Sequence, residues 1–206
     1  MATKEDLSEY LIAPDMSRSG LSRPVQGIDQ DGNPSAMSVI EERPLTIFLN
    51  AQEIVTAMTI GDYPEYLALG FLRNQGMLKD DSGVIGVSYD EDLETVVVRT
   101  ATQTTYEDKL KKKTRTSGCA VGTVFGDMME GLEDVQLPAS LVKTSWLYAL
   151  AAKINRTPSL YLDVGAIHGT VLCVEDRPLV YMEDVGRHNA VDKIAGWMLS
   201  EQVTAA

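Results

Sequence analysis

The chain has only two cysteines among its 206 residues, Cys119 and Cys173, and neither lies in a CxxC pair. That excludes a disulfide framework, speaks against a zinc ribbon or a thioredoxin-like dithiol, and suits a reducing compartment. Basic residues are scarce: 18 Lys and Arg stand against 30 Asp and Glu, a net charge of −12. A general nucleic-acid binder needs the opposite balance, so anionic ligands must be held by local clusters. No run of about 18 apolar residues occurs. The start, MATKEDLSEYLIAPD, has acids where a secretory signal needs a basic start and a long apolar stretch. Neither a membrane span nor export is expected, and the cytoplasm is the default location. Histidine is limited to His168 and His188, and no internal repeat or low-complexity tract stands out.

What is present is a globular pattern. With 44% hydrophobic residues the chain can bury one sizeable core, alone or with a small appended domain. Residues 1–37 carry Pro14, Gly20, Pro24, Gly27, Gly32 and Pro34 without a sustained period, and read as a mostly irregular arm. Residues 37–60 read as two strands joined around Asn50 and Ala51. A helix opens at residues 63–70, with Pro64 in its first turn and Gly76 as its stop. Residues 84–89 and 95–100 alternate as strands. Residues 140–154 read as a helix begun by Ser140, with Leu141, Trp146, Leu147, Leu150, Ala151 and Ile154 on its apolar side and Trp146 in the core. Residues 159–163 and 169–175 read as strands. The alternation predicts α/β or α+β with a mixed sheet flanked by helices.

Two stretches carry chemistry-bearing residues that packing does not ask for. The first is the approach to Cys119. Five of the 18 basic residues, Lys109, Lys111, Lys112, Lys113 and Arg115, precede it, and glycines and hydroxyl residues flank it in TSGCAVG. Positive charge and exposure lower a thiol pKa from about 8.5, which favours the thiolate that acts as nucleophile and sulfur carrier. The plain alternative is a solvated charged face beside an inert loop cysteine. Cys173, in the apolar GTVLCVED, reads as a small buried hydrophobe.

The second stretch is EDVGRHNAVDK, residues 183–193, a turn from a strand ending in PLVYM to a helix. Asn189 is expected as its N-cap with Asp192 three residues on, and Gly186 lets the backbone turn. Backbone N–H groups, the positive helix end and the Arg187 guanidinium would converge there on an anion. The alternative is a capped helix with a surface pair between Arg187 and Glu183 or Asp184. Each histidine is read either as a hydrogen-bonded structural residue or as a group that orients the thiol or binds a phosphate. A zinc site built from Cys119, Cys173, His168 and His188 lacks closely spaced ligand pairs, so no metal is expected.

EDVGRHNAVDK resembles the signature of the FdhD/NarQ family, accessory proteins of formate dehydrogenase. ERPLTIFLN followed by TIGDYPEYLALGFLRNQGML resembles that family's first block, and similarity runs in patches from about Val39 to Leu199. The resemblance implies a cytidine-deaminase-like α/β core over residues 109–206, containing the cysteine loop, and a smaller α+β portion over 38–108. It also implies a homodimer. It implies that Cys119 takes sulfur from a cysteine desulfurase as a persulfide and passes it to the molybdenum bis(pterin guanine dinucleotide) cofactor of formate dehydrogenase or a related molybdoenzyme. Gly186, Arg187, His188 and Asn189 are then candidates for cofactor contacts, or for holding the dimer or shaping the cysteine loop.

Two departures from the family stand out. The family's CxxC is CAVG here, with Gly122 in place of the second cysteine, so a single thiolate would accept the sulfur and a dithiol step is not available. The family also continues past the last helix into strands implicated in cofactor binding, whereas this sequence stops soon after it. The competing expectation is a scaffold or chaperone for a molybdoenzyme that keeps the fold without sulfur transfer. DVGAIHG falls near a histidine-containing family segment, in which His168 carries over.

Overall fold

The computed structural model describes residues 10–78, 83–101, 113–115, 123–125 and 139–203, with only the backbone at 113–115 and 123–125. The irregular arm expected before residue 37 is corrected: β1 (Ser22–Ile28) and β2 (Pro34–Ile40) form an antiparallel hairpin. Its turn is shaped by the Asp29 carboxylate, which accepts from the backbone N–H of Asp31 and of Asn33, each at 2.9 Å. Neither strand buries a full face, so the apolar alternation that reveals half-buried strands is missing. Upstream, Leu11 and Ile12 lie along a later strand: the Leu11 N–H donates to the Leu179 carbonyl at 2.7 Å and the Tyr181 N–H to the Ile12 carbonyl at 2.9 Å.

The mixed sheet is formed by β3 (Arg43–Leu49), β4 (Gln52–Thr59), β5 (Val84–Asp90) and β6 (Thr95–Thr100) in the order β4-β3-β6-β5. The β3–β6 pairing is parallel and the other two are antiparallel. The expected turn at Asn50 is present, with φ 55°. The Asn50 side chain also ties the turn to the end of β6, accepting from the Thr100 N–H at 2.9 Å. Alternate residues Leu45, Ile47 and Leu49 face inward with Val96 and Val98, and pack on Leu67, Ala68 and Leu72 of α1 (Pro64–Asn74). Each such side chain contributes about 1.5–3 kcal/mol on burial, which makes this the principal core. As expected, Pro64 sits in the first turn of α1, and Gly76, with φ 65°, follows its end.

In the second half, β7 (Lys113–Arg115) pairs antiparallel with β8 (Thr123–Phe125). The helix α2 (Thr144–Ile154) begins after Lys143 rather than at Ser140, and none of its residues is buried. Trp146 is therefore not a core residue; the Lys143 ammonium lies 4.8 Å above its ring. Residues expected as a strand at 159–163 instead form the short helix α3 (Leu160–Asp163). The reason is partly local, since Ser159 Oγ accepts from the Leu162 N–H at 3.3 Å. It is also remote: the Glu183 carboxylate accepts from the Leu160 and Tyr161 N–H groups, each at 2.9 Å.

The strands β9 (His168–Val174) and β10 (Arg177–Asp184) form an antiparallel ribbon that leads into α4 (Arg187–Ser200). Thus the described strands of residues 109–206 pair only two by two and antiparallel, while the mixed sheet lies in residues 43–100. The class is mixed α+β, with helices on a mixed sheet. Helices α1 and α4 meet backbone to backbone. A Cβ on Gly70 would stand 1.6 Å from the Asp192 carbonyl oxygen, and one on Gly196 would stand 1.9 Å from that of Tyr66. That contact joins the two halves of the chain, and Val180, Met182, Ile194 and Trp197 form a second apolar cluster beside it.

Candidate functional site

The turn between β10 and α4 is built on a buried set of charges. Asp184 ends the strand fully buried, and both of its carboxylate oxygens are used. Oδ1 accepts from the Gly186 N–H and the Asn189 amide, each at 3.0 Å. Oδ2 accepts from Thr59 Oγ1 at 2.5 Å and lies 2.6 Å from the Lys193 ammonium. Lys193, itself fully buried, also donates to Asp62 and, at 2.9 Å, to the Glu183 carbonyl oxygen. Three acceptors match the three N–H bonds of an ammonium, which is what makes a buried lysine tolerable.

The capping expectations are corrected here. Gly186 is the N-cap of α4, without a side-chain cap bond, and Asn189 lies inside the first turn. The Asn189 amide donates to the Met58 carbonyl oxygen at 2.8 Å as well as to Asp184, fastening α4 to β4. Asp192 is no capping partner; it is buried beside α1, where Asn74 Nδ2 donates to its Oδ1 at 2.6 Å. Burial pushes the Asp192 carboxyl up to about 6. Burial also raises the Asp62 carboxyl, against the pull of the Lys193 ammonium, and the Glu183 carboxyl, against the two backbone N–H groups of α3. Glu183 and Asp184 therefore make no surface pair with Arg187: both are buried.

What the turn shows to solvent is different in kind. Gly186 is half-buried, while Arg187 and His188 are exposed at the positive end of a 14-residue helix. The first intrahelical bond at this end runs from the Ala190 N–H to the Gly186 carbonyl oxygen at 3.0 Å. The N–H groups of residues 187–189 precede it and have no intrahelical acceptor to use. His168, also exposed, heads β9 directly opposite Asp184 in the strand register. The arrangement is a rim of hydrogen-bond donors above a buried, hydrogen-bonded base, and the chemistry of the rim suits a phosphate or another anion.

Of the sequence-predicted site, the structure brings Gly186, Arg187, His188 and Asn189 together, although Asn189 turns inward. Cys119 and Lys109, Lys111 and Lys112 lie outside the described residues. Cys173 is half-buried in β9 rather than part of a core cluster; its thiol donates to the Val171 carbonyl oxygen at 3.6 Å, and burial pushes its pKa up. Sequence reading missed Thr59, Asp62 and Lys193 as the base of the turn. Asp62 and Lys193 both stand in the two quoted sequence blocks, but a pairing across 131 positions has no local signal. Among the described residues no three His, Cys, Asp or Glu side chains converge to hold a metal ion, and no helix is long and apolar enough to cross a membrane.

Comparison with known proteins bears on the same residues. The sulfur carrier protein FdhD of Bacillus subtilis (strain 168) is 29% identical over 164 residues, covering 78% of this chain and 62% of that protein. The sulfur carrier protein FdhD of Bacillus pumilus (strain SAFR-032) is 27% identical over 171 residues, covering 80% and 64%. The chain thus spans a little under two thirds of the length of these relatives. A crystal structure of a candidate formate dehydrogenase accessory protein from Desulfotalea psychrophila superposes with a TM-score of 0.66 at 25% identity, covering 88% of this chain and 68% of that one. The FdhD/NarQ family model matches residues 40–206, which takes in the mixed sheet, the α1–α4 crossing and the whole β10–α4 turn. With that much of the fold and its buried base inside the match, the chain belongs to the FdhD/NarQ family.

Proposed function

We propose that this protein is a sulfur carrier in the maturation of formate dehydrogenase or a related molybdoenzyme. The observation that carries the reading is the match to proteins named sulfur carrier FdhD over 78–80% of the chain, within a family match that includes Cys119. The Cys119 thiolate attacks the outer sulfur of a cysteine desulfurase persulfide. A new S–S bond forms at Cys119 as the desulfurase S–S bond breaks, and the desulfurase leaves as its own thiolate. The resulting persulfide serves the molybdenum bis(pterin guanine dinucleotide) cofactor, which is cargo rather than a resident group. Lys109, Lys111, Lys112, Lys113 and Arg115 keep the thiol ionised.

The donor rim of Gly186, Arg187 and His188 is the seat for the anionic part of that cargo. It is supported by the exposed first turn of α4 and by the buried Lys193–Asp184 base beneath it. The protein works in this reading as a cytoplasmic homodimer, with residues 38–206 as the functional unit and acting as a sulfurtransferase.

The test is intact-mass spectrometry after incubation with a cysteine desulfurase and L-cysteine. A sulfur adduct on the wild type and on Cys173→Ala, lost on Cys119→Ala, is the expected result. A folded wild-type protein that gains no sulfur beside an active desulfurase would instead make the chain a molybdoenzyme scaffold.

A further inference from the structure

Away from the β10–α4 turn, and sharing none of the residues of its donor rim, a cleft of about 260 Å³ opens where residues 18–21 meet the start of β3, the β4–α1 connection and the end of β5. Arg43, the first residue of β3, is fitted into it with little room to spare. A Cβ on Gly61 would stand 2.5 Å from Arg43 Cδ and one on Gly20 would stand 3.0 Å from Arg43 Nη2, and both glycines hold positive φ, 82° and 81°. The guanidinium is only partly used: Nη2 donates to the Gly20 carbonyl oxygen at 3.1 Å, while Nε is shielded from water and has no hydrogen-bond partner among the described residues. An acceptor that enters the cleft would meet the terminal nitrogens of this guanidinium rather than the closed-off Nε.

The other lining groups define what the acceptor belongs to. Arg18 contributes a second guanidinium, its carbon 5.8 Å from the centre of the Tyr63 ring. The first turn of α1, whose N-cap Tyr63 makes no side-chain cap bond, opens onto the cleft through Pro64 and Glu65. Negative groups stand there too, Glu65 and Glu91, neither of them in an ion pair among the described residues. A bare oxyanion would be drawn to the arginines and repelled by the glutamates. A small molecule that carries a carboxylate and an ammonium satisfies both, and the volume lies below that of pockets for drug-sized ligands.

We propose that this cleft is a binding site for a free α-amino acid, its carboxylate received by Arg43 and Arg18 and its ammonium by Glu65 and Glu91. The site is independent of the sulfur-carrier reading and uses no residue invoked in it.

The test is a titration of the ¹⁵N-labelled full chain in phosphate-free buffer with glycine, acetate and methylammonium in parallel. Glycine is expected to shift the amide signals of Gly20, Gly61 and Glu65 saturably, and acetate and methylammonium to bind at least about fivefold more weakly. Arg43→Gln should abolish the shifts. Because Arg43 also braces Gly20, the double variant Glu65→Gln/Glu91→Gln supplies a second probe that leaves the arginine in place, and it should weaken glycine at least about fivefold while sparing acetate. Equal binding of glycine and acetate would reduce the cleft to a general anion site and overturn the proposal. A folded protein whose Gly20 and Gly61 signals ignore glycine would overturn it as well.

Discussion

The Lys193 ammonium lies 2.6 Å from Asp184 Oδ2, and both side chains are completely buried. The pair joins the middle of α4 to the residue that ends β10, and through Asp62 it reaches the start of α1. Removing the ammonium leaves two acids facing each other without a counter-ion. Lys193→Met is therefore expected to cost about 3–5 kcal/mol in urea unfolding. The double variant Lys193→Met/Asp62→Asn should recover part of that loss. A single variant as stable as wild type would show that the ion pair contributes nothing to the fold.

Asp192 makes stability depend on pH in a direction opposite to that of an ion-paired acid. Burial raises its carboxyl from the ordinary 3.8 to about 6, so the folded state holds the proton more tightly than the unfolded one. Its contribution is fully present with the proton on, falls as pH rises from about 4 through about 6, and stays low above that. Asp192→Asn keeps an acceptor for Asn74 and removes the titration. Relative to wild type the variant should gain roughly 2 kcal/mol between pH 4.5 and 7.5, measured by urea midpoints. Parallel pH dependence in the two proteins would refute the assignment to Asp192.

The backbone contact between α1 and α4 predicts a sharp contrast between two glycines. Gly196→Ala drives a Cβ to within 1.9 Å of the Tyr66 carbonyl oxygen, and the obstacle is backbone, so the helices must separate. The expected cost is at least about 3 kcal/mol in thermal or denaturant unfolding. Gly86→Ala, in β5 with open space around the added atom, should be neutral or stabilising by a few tenths to about 1 kcal/mol.

Arg187 and His188 are exposed, unlike the acids around them, so structure and function should separate there. Arg187→Ala/His188→Ala is expected to change stability by no more than about 0.5 kcal/mol. Persulfide loading of Cys119, read by intact mass, should be unaffected. If the turn seats the cargo as proposed, activation of the molybdoenzyme should fall about tenfold, the loss expected for charge-assisted bonds. Equal loss of loading and activation would argue against a seat for the cargo at this turn.

Sequence by itself determined the β3–β4 hairpin with its Asn50 turn, the start and stop of α1, the strands β5 and β6, and the β10–α4 turn. Each depends on turn chemistry, proline and glycine positions or apolar periodicity within about ten residues, which is the range over which sequence acts directly. Tertiary structure alone decided that Glu183 caps α3, that Asn189 reaches back to Met58, that Lys193 is matched by Asp62 and Asp184, and that Gly70 and Gly196 are where two helices touch. Asp184 apart, their partners lie 22 to 131 positions away. A carboxylate in the sequence looks the same whether it will cap a distant helix or face water; burial and the geometry of its neighbours make the choice, and both exist only once the chain has folded.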